Sequence, residues 1–260
     1  MRLTSIHTYP VKACHRVDHD RIQVEPWGLS GDRHWMVVDA NGLRVTQPQH
    51  AGLVHIEPRF SDGVLTLRAA GHPDLQVPVP DAGEPLKVIA GRSVVVASAA
   101  GPAADAWLAR VLDRPVRLAY LKPTHRASGT PVGDSYPLLL TNEASLAAVN
   151  DWIAESGSAE GPVPMTRFRP NVVVTGVPPW AEDDWRGGRI RIGSVPFRVG
   201  KGCDRCVVTT IDQDTAEQGH EPLRTLARHR NINQELLFGV YLIPDAPGEI
   251  AVDDPVTVLD

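Results

Sequence analysis

Cysteine is scarce in this chain, and its scarcity limits the chemistry available. The 260 residues include three cysteines, Cys14, Cys203 and Cys206. A small, odd number of thiols in a chain of this size indicates a reducing compartment rather than a disulfide scaffold. A structural zinc site needs four ligands, and neither a second Cys-x-x-Cys nor a close histidine pair completes such a set. We interpret Cys14 as a small buried hydrophobic residue.

Long apolar runs and basic blocks are also missing. No segment is apolar over the length needed to span a bilayer, and no signal-peptide segment follows Met1. The net charge is −5 at pH 7, and the sequence pI is about 6.0. These features predict a cytoplasmic protein that binds neither a membrane nor nucleic acid. The remaining composition, 42% hydrophobic and 22% charged, is that of an ordinary globular chain with one large or two smaller domains.

Short segments in which polar and apolar residues alternate dominate the sequence. Asn41-Gly42 and Gly193-Ser194 each stand between two such segments and predict tight hairpin turns. Many short strands with Gly-rich turns favour barrels over an open parallel sheet. The strands predicted on this pattern are Ile6–Val11, His34–Asp39, Leu43–Thr46, Val64–Arg68, Arg189–Ile192 and Val195–Val199.

Three segments predict helices. The first, Ala103–Leu112, is rich in alanine and places its large apolar residues on one side. Asn142 can cap the second, whose apolar residues recur at helical spacing, at Leu146, Val149 and Ile153. The third opens at Glu221, has Pro222 in its first turn and carries Leu223 and Leu226 on one face.

The most informative motif is Cys203-Asp204-Arg205-Cys206. A thioredoxin-type cysteine pair stands at the start of a helix, whose dipole lowers the thiol pKa. Here the second cysteine leads instead into Val207–Ile211, a β-branched run that prefers a strand. The sequence therefore predicts a thiolate at the start of a strand, beside Arg205 and near Lys201. Such a thiolate is a suitable soft ligand for a metal that an anionic cofactor carries.

Other polar motifs follow one another in a characteristic order, although each alone is weak evidence. Together with the cysteine pair they resemble the MOSC family, whose name records a kinship to the C-terminus of molybdenum cofactor sulfurase. The likeness covers almost the whole chain and is greatest to the branch with an N-terminal MOSC β-barrel, which includes the mitochondrial amidoxime-reducing components and their bacterial relatives. The motifs that carry it are Tyr9-Pro-Val-Lys12, Gly28-Leu29 with Asp32-Arg33-His-Trp35, Phe168-Arg-Pro-Asn171, Ala181-Glu-Asp183 with Trp185, Cys203-x-Arg-Cys206 with Thr209-Thr210-Ile211-Asp212, Glu221-Pro222-Leu223 with Leu226, and Phe238-Gly239-x-Tyr241.

The resemblance implies a molybdenum cofactor held by its pterin dithiolene and by one protein thiolate, which falls at Cys206. The further contacts that it implies, to the pterin and its phosphate, are Lys12, Arg33, Asp134, Ser135, Tyr136, Arg169, Asn171, Asp204, Arg205 and Tyr241. These residue types agree with such a ligand. Lysine and arginine bind phosphate, and amide, carboxylate and hydroxyl groups complement the donors and acceptors of a pterin ring.

The resemblance also implies an α+β fold that is mainly β, with few helices. A MOSC N-terminal β-barrel domain over residues 1–120 would be intertwined with a MOSC β-barrel domain over residues 121–260. The segment Lys122–Asp134, which is rich in proline, glycine and serine, is the predicted boundary or mobile loop. Because Lys12 and Arg33 belong to the first part, we expect the site to form where the two parts meet.

By resemblance, the predicted function is an oxidoreductase that reduces small N-hydroxylated compounds such as amidoximes, with Cys206 as the molybdenum ligand. The electrons would come from a separate donor, a ferredoxin, a flavodoxin or a reductase. The chain has too few cysteines for an iron–sulfur cluster of its own and lacks a Gly-x-Gly-x-x-Gly fingerprint. Two alternatives stay open: a sulfur carrier or sulfurtransferase that uses a Cys206 persulfide, and a non-enzymatic carrier of the cofactor.

Two positions depart from the family pattern. Ala13 stands where close relatives often have serine, so one side-chain hydrogen bond is lost. Tyr136 is bulkier than the family residue in that loop and can narrow the substrate entrance. Among the other polar residues, we interpret Asp32 as a structural partner of an arginine or a backbone amide. Glu182–Asp184 is most simply a solvated acidic turn, and the alternative is an acidic pair that caps a strand or pairs with Arg167.

Overall fold

A computed structural model describes residues 1–81, 83–90, 93–122 and 136–259 of the protein. The α-helices in these ranges are α1 (Pro102–Leu112), α2 (Glu143–Glu155) and α3 (Leu223–His229). The strands are β1 (Arg2–Thr8), β2 (Val17–His19), β3 (Arg21–Glu25), β4 (Gly28–Leu29), β5 (Trp35–Val38), β6 (Glu57–Ser61), β7 (Val64–Arg68), β8 (Leu75–Pro78), β9 (Pro85–Ala90), β10 (Ser93–Ala99), β11 (Arg117–Tyr120), β12 (Leu138–Asn142), β13 (Val172–Thr175), β14 (Arg189–Ile192), β15 (Val195–Asp204), β16 (Asn231–Ile232), β17 (Glu235–Pro244), β18 (Gly248–Ala251) and β19 (Val256–Leu259). The predicted α+β fold, mainly β, is confirmed.

The largest sheet in the described part of the chain joins the two ends of the sequence. Its strands follow the order β19-β14-β15-β17-β12-β13-β1-β2, and β16 also pairs with β17. β1 runs antiparallel to β13, with Ile6 opposite Val172, whereas β12 and β13 are parallel. A smaller sheet likewise pairs β3 with β18. The start of the chain therefore folds as part of the C-terminal half, so the two halves are intertwined.

Burial in these sheets follows the alternation of the strands. Leu3 and Ile6 of β1 and Val24 of β3 lie in one apolar cluster with residues of the C-terminal strands, among them Ile190, Phe197 and Leu242. Each such side chain contributes roughly 1.5–3 kcal/mol when it is fully buried. A second cluster packs α1 against the sheets β5-β11-β10-β9 and β6-β7-β8, and it includes Trp35, Leu65 and Trp107. The N-terminal half thus has a core of its own beside the shared one.

The predicted cap of α2 is confirmed. Asn142 Oδ1 accepts a hydrogen bond from the backbone N–H of Ala144 at 3.0 Å, and the predicted apolar face buries Val149 and Ile153. α3 buries Leu226, as predicted, but it begins at Leu223, so Pro222 lies just before the helix rather than in its first turn. No helix in the described ranges combines the length and the apolar composition needed to cross a membrane.

The predicted solvated acidic turn is wrong at Glu182. This side chain is fully buried, and its carboxylate accepts hydrogen bonds from Asn142 Nδ2 at 3.1 Å and from Ser145 Oγ at 2.7 Å. Burial raises the pKa of Glu182. Since Asn142 and Ser145 flank the first turn of α2, Glu182 anchors the start of that helix. Tertiary contacts, rather than the local sequence pattern, determine which residue of Glu182–Asp184 is buried.

β1 ends at Thr8, earlier than the predicted strand Ile6–Val11. The backbone N–H of Tyr9 donates to Asp32 Oδ1 at 2.7 Å rather than to a neighbouring strand. Pro10 follows and has no N–H with which to continue the ladder. The chain therefore leaves the sheet at this point, and Lys12 lies beyond the strand end.

The predicted strand Leu43–Thr46 does not form. Asp39 Oδ1 accepts hydrogen bonds from the backbone N–H groups of Asn41 and Leu43 at 2.8 and 2.9 Å, which closes the predicted turn. Beyond the turn the chain makes isolated bridges, from Arg44 to Val38 and from Leu43 to Ile89. The second segment of the predicted hairpin therefore forms single bridges to two different strands, β5 and β9, and a continuous ladder with neither.

Glu160 ties the loop after α2 to the turn before α3. Its Oε2 accepts the backbone N–H groups of His220 and Glu221 at 2.6 and 2.9 Å, and its Oε1 lies 3.2 Å from His220 Nδ1. The N–H of Glu221 and then that of His220 lower the pKa of the carboxyl from 4.5 to about 2. The ionised form of Glu160 therefore stabilises the folded chain.

We expect Glu160→Gln to destabilise the protein at neutral pH and to lose this effect in acid. A group whose pKa is lowered on folding contributes stability above its unfolded pKa, and this contribution disappears as the pH falls toward the folded value. Urea denaturation between about pH 7 and pH 3 should show the difference from wild type shrinking. Glu155→Gln, on the exposed end of α2, is the matched control. Equal, pH-independent effects of both substitutions would contradict the assignment.

Candidate functional site

One pocket gathers the predicted site residues. It has a volume of about 280 Å³ and is lined by residues from both halves of the chain. Asp134 and Ser135 lie outside the described residues. The other predicted contacts all line the pocket: Lys12, Arg33, Tyr136, Arg169, Asn171, Asp204, Arg205, Cys206 and Tyr241. The expectation that these residues converge where the two halves meet is therefore correct for the described part of the chain.

Cys206 presents an exposed thiol at this pocket. It follows the end of β15 and directly precedes a short 3-10 helix, Val207–Thr210. The predicted strand after Cys206 is therefore wrong. The hydroxyls of Thr209 and Thr210 donate back to the carbonyls of Cys206 and Val207 at 3.0 and 2.8 Å. Such local side-chain bonds stabilise a turn in competition with a strand.

Cys203 has a different environment from its motif partner. It is buried, accepts a hydrogen bond at Sγ from Arg205 Nη1 at 2.8 Å, and lies 3.0 Å from the Tyr241 hydroxyl oxygen. Arg205 Nη2 donates to the Phe168 carbonyl at 2.6 Å, while its Nε is buried without a hydrogen-bond partner among the described residues. Cys203 thus holds the Arg205 side chain, and Cys206 is the thiol that is open to a ligand.

Asp32 and Asn171 hold Arg33 at the wall of the pocket. The fully buried Asp32 carboxylate accepts hydrogen bonds from the Tyr9 N–H, from Asn171 Nδ2 at 3.2 Å and from Arg33. The predicted structural role of Asp32 is confirmed. Asn171 Oδ1 accepts from Arg33 Nη1 at 3.0 Å and from a backbone N–H of β12, and its Nδ2 also donates to a backbone carbonyl of β1. The hydrogen-bonding capacity of this amide is therefore filled by protein groups.

Two glutamines that the sequence motifs do not include form a hydrogen-bonded chain that ends at Arg169. Arg169 Nη1 donates to Gln213 Oε1 at 2.8 Å. Gln213 and Gln47 exchange hydrogen bonds at 2.9 and 3.2 Å, and Gln47 also donates to the Ala13 carbonyl. Both glutamines are buried, and each comes from a different half of the chain. No local signal marks a glutamine whose partner is so distant in sequence.

The pocket is strongly cationic. Besides Lys12 and the predicted arginines it is lined by Arg44, which the motif series did not include. Arg44 and Thr46 are two residues apart in the predicted strand, and alternation places such residues on the same face. This alternation is the feature of the sequence that points to them. Of the described residues that line the pocket, Asp204 alone carries a carboxylate. This imbalance attracts anions.

Tyr136 forms an aromatic wall with Tyr241. Their ring centroids are 4.5 Å apart and the rings are within 10° of parallel. Gly200 leaves the space for this stack, because a Cβ there would lie 3.0 Å from Tyr136 Cε1. The same Tyr241 reaches Cys203 with its hydroxyl. The aromatic wall is therefore continuous with the cysteine motif.

The described part of the chain shows no metal site built from protein side chains alone. The described ranges contain no group of three or more His, Cys, Asp or Glu side chains that could hold a metal ion. The pocket offers instead one exposed soft donor, Cys206, among cations. This donor set fits a metal that arrives within an anionic cofactor.

The sequence matches two family models in succession. Residues 1–115 match the MOSC N-terminal beta barrel domain, and residues 128–257 match the MOSC domain. The chain therefore belongs to the MOSC family, in the branch with the N-terminal barrel, as its motifs predict.

The chain is also similar to individual proteins. Mitochondrial amidoxime-reducing component 1 of Homo sapiens is 33% identical in an alignment that covers 96% of this chain and 81% of the human protein. Molybdenum cofactor sulfurase of Danio rerio is 31% identical, and the alignment covers 92% of this chain but 31% of the sulfurase. The solved structure of the YUAD protein from Bacillus subtilis aligns with a TM-score of 0.46 and 10% identity, over 98% of this chain and 93% of that one.

We expect iodoacetamide to label the cofactor-free native protein first at Cys206. Cys14 and Cys203 are buried, and burial raises the pKa of Cys14 to about 12, which keeps that thiol protonated. Peptide mass spectrometry after brief labelling should find the adduct on Cys206, with the other two thiols reacting after denaturation. Cys206→Ser should leave the native protein nearly unlabelled, whereas Cys14→Ser should change nothing. Preferential labelling of Cys203 would be incompatible with its contacts.

Proposed function

We propose that this protein is a molybdenum-cofactor-dependent oxidoreductase that reduces small N-hydroxylated compounds such as amidoximes. The observation that carries the proposal is the exposed Cys206 thiol within a pocket lined by cationic side chains. A soft thiolate suits molybdenum, and the cations suit the phosphate and dithiolene charges of molybdopterin. The relatives named for amidoxime reduction and for molybdenum cofactor sulfuration support the same cofactor chemistry.

The residues of the pocket fit this cofactor in their donor chemistry. Cys206 is the proposed molybdenum ligand, and Lys12, Arg33 and Arg169 are the proposed partners of the phosphate and of other anionic oxygens. Because protein groups satisfy the full hydrogen-bonding capacity of the Asn171 amide, we propose that Asn171 positions Arg33 rather than contacting the pterin. The remaining proposed contacts to the pterin are Asp134, Ser135, Tyr136, Asp204, Arg205 and Tyr241. When bound, the cofactor supplies a redox-active metal centre that can accept oxygen from a substrate.

The substrate would enter beside the aromatic wall. Tyr136 and Tyr241 give this side of the pocket flat apolar rings, which favour small planar compounds over bulky ones. Cys203 and Arg205 keep the wall and the motif together through the Tyr241 hydroxyl and the Phe168 carbonyl. The site needs residues of both proposed domains, 1–120 and 121–260.

We expect Cys206→Ser to lose molybdenum, whereas Cys203→Ser keeps most of it. A hard hydroxyl is a poor replacement for a soft thiolate, while the Cys203 sulfur is buried against Arg205. Both variants and wild type are purified from a host that makes the cofactor, and molybdenum and pterin are quantified per chain. Benzamidoxime turnover with an artificial electron donor is then measured on the same samples. The reverse order of the two variants would place the ligand at Cys203.

The same measurements separate the other functions. Cyanide-labile sulfur without molybdenum would favour a sulfur carrier with a Cys206 persulfide. Stoichiometric molybdenum and pterin without any turnover would favour a cofactor carrier. Turnover that requires molybdenum and Cys206 supports the reductase.

We expect no steady turnover with NADH alone. The chain has no Gly-x-Gly-x-x-Gly fingerprint, and three cysteines, one of them the proposed ligand, are too few to hold an iron–sulfur cluster as well. Electrons would then come from a separate protein, through a small and transient contact. The test supplies molybdenum-loaded protein with NADH and an amidoxime, with and without a ferredoxin or flavodoxin and its reductase. Sustained turnover without the added proteins would disprove the proposed need for a donor.

A further inference from the structure

Two pocket arginines share one buried aromatic ring. The guanidinium carbon of Arg169 lies 4.1 Å from the centroid of the Tyr9 ring, and that of Arg33 lies 4.8 Å from it. The Tyr9 side chain is buried, and its hydroxyl donates to the Pro170 carbonyl at 3.1 Å. Burial raises the pKa of Tyr9 to about 12, so the phenol stays neutral and keeps this hydrogen bond.

Placing these two side chains close together is unfavourable in free energy. Their guanidinium carbons are at most about 9 Å apart, because both lie near the same ring centroid, and like charges at that separation repel. Both arginines also have a left-handed backbone, with φ of 56° at Arg33 and 52° at Arg169. Residues other than glycine adopt this conformation where the surrounding structure enforces it, and such residues cluster at functional sites.

Several contacts offset this cost. The face of an aromatic ring is electron-rich and attracts cations, and a buried ring does so more strongly than an exposed one. Asp32 and Asn171 also accept hydrogen bonds from Arg33, and Gln213 accepts one from Arg169. The Tyr9 ring is the element that both guanidinium groups have in common. It joins one arginine from each half of the chain.

We propose that Tyr9 is a positioning residue whose ring sets Arg33 and Arg169 as one preformed site for a phosphate group. The inference rests on the proposed function, in which both arginines face the anionic cofactor. A phosphate dianion would meet two guanidinium groups already fixed in place, so little side-chain freedom would be lost on binding. Tyr9 itself makes no contact with the ligand in this proposal.

The test changes the charge distribution over the face of the ring while nearly keeping its shape. Tyr9 is replaced by phenylalanine and, by amber suppression, by pentafluorophenylalanine, whose ring face no longer attracts cations. Binding of inorganic phosphate to the cofactor-free protein is measured by calorimetry, and pterin content is measured on protein from a cofactor-competent host. We expect Tyr9→Phe to bind phosphate within about twofold of wild type, and the fluorinated variant to bind roughly three- to tenfold more weakly with less pterin.

The comparison of the two variants excludes a purely structural role. Both lack the hydroxyl that bonds to Pro170, so its loss affects them equally, and the melting temperatures report any destabilisation by the slightly larger fluorinated ring. Equal phosphate affinity in the two variants would overturn the inference. Thermal melts of both variants check that they fold to the same degree.

Arginine variants separate this inference from the proposed function. Arg169→Ala and Arg33→Ala should each weaken phosphate binding roughly tenfold or more. If they do so while the fluorinated ring changes nothing, the arginines bind the anion and the role of Tyr9 is wrong. Unchanged phosphate affinity in both alanine variants would overturn the anion site itself, and with it this part of the proposed function.

Discussion

The antiparallel pairing of β1 with β13 is the contact on which the pocket depends. It places the segment after β1, which contains Tyr9 and Lys12, beside the segment before β13, which contains Arg169 and Asn171. The N–H of His7 donates to the Asn171 carbonyl at 2.8 Å and extends this pairing to the strand end. Since β15 reaches β13 through β17 and β12, the same sheet also fixes the position of the cysteine motif. A local shift of β1 would move Tyr9 and Lys12 away from Arg169 and from the thiol.

Neutral groups hold several of the cationic side chains of the pocket. Gln213 accepts from Arg169 and the Phe168 carbonyl accepts from Arg205, whereas Arg33 pairs with the buried Asp32 carboxylate as well as with Asn171. A neutral acceptor restrains a guanidinium group without adding a negative charge to the pocket. The buried Asp32 carboxylate is shared between Arg33, Asn171 and a backbone N–H. Its charge is therefore distributed over the network behind the pocket.

The sequence was informative where the signal is local. The Asn142 cap and the apolar spacing after it predict α2, and the resemblance carried by the ordered motifs leads to many, though not all, of the described residues that line the pocket. It was less informative where local side-chain hydrogen bonds compete with strand propensity, and where the partners are distant in sequence. The β-branched run after Cys206 became a 3-10 helix because threonine hydroxyls bonded to nearby carbonyls. Gln47 and Gln213 hydrogen-bond each other although they are far apart in the sequence, and no pattern around either residue predicts this contact.

The intertwined sheet has a consequence for how the chain is made. Leu3 and Ile6 leave the ribosome early, but the strands that bury them, β13 and those beyond, are synthesised last. At about 5–20 residues per second the delay is on the order of ten seconds. During this time the first apolar strand has an unpaired edge, and such an edge favours pairing with other chains. The pocket takes residues from both halves, so it can form only after β13 and β15 have been synthesised.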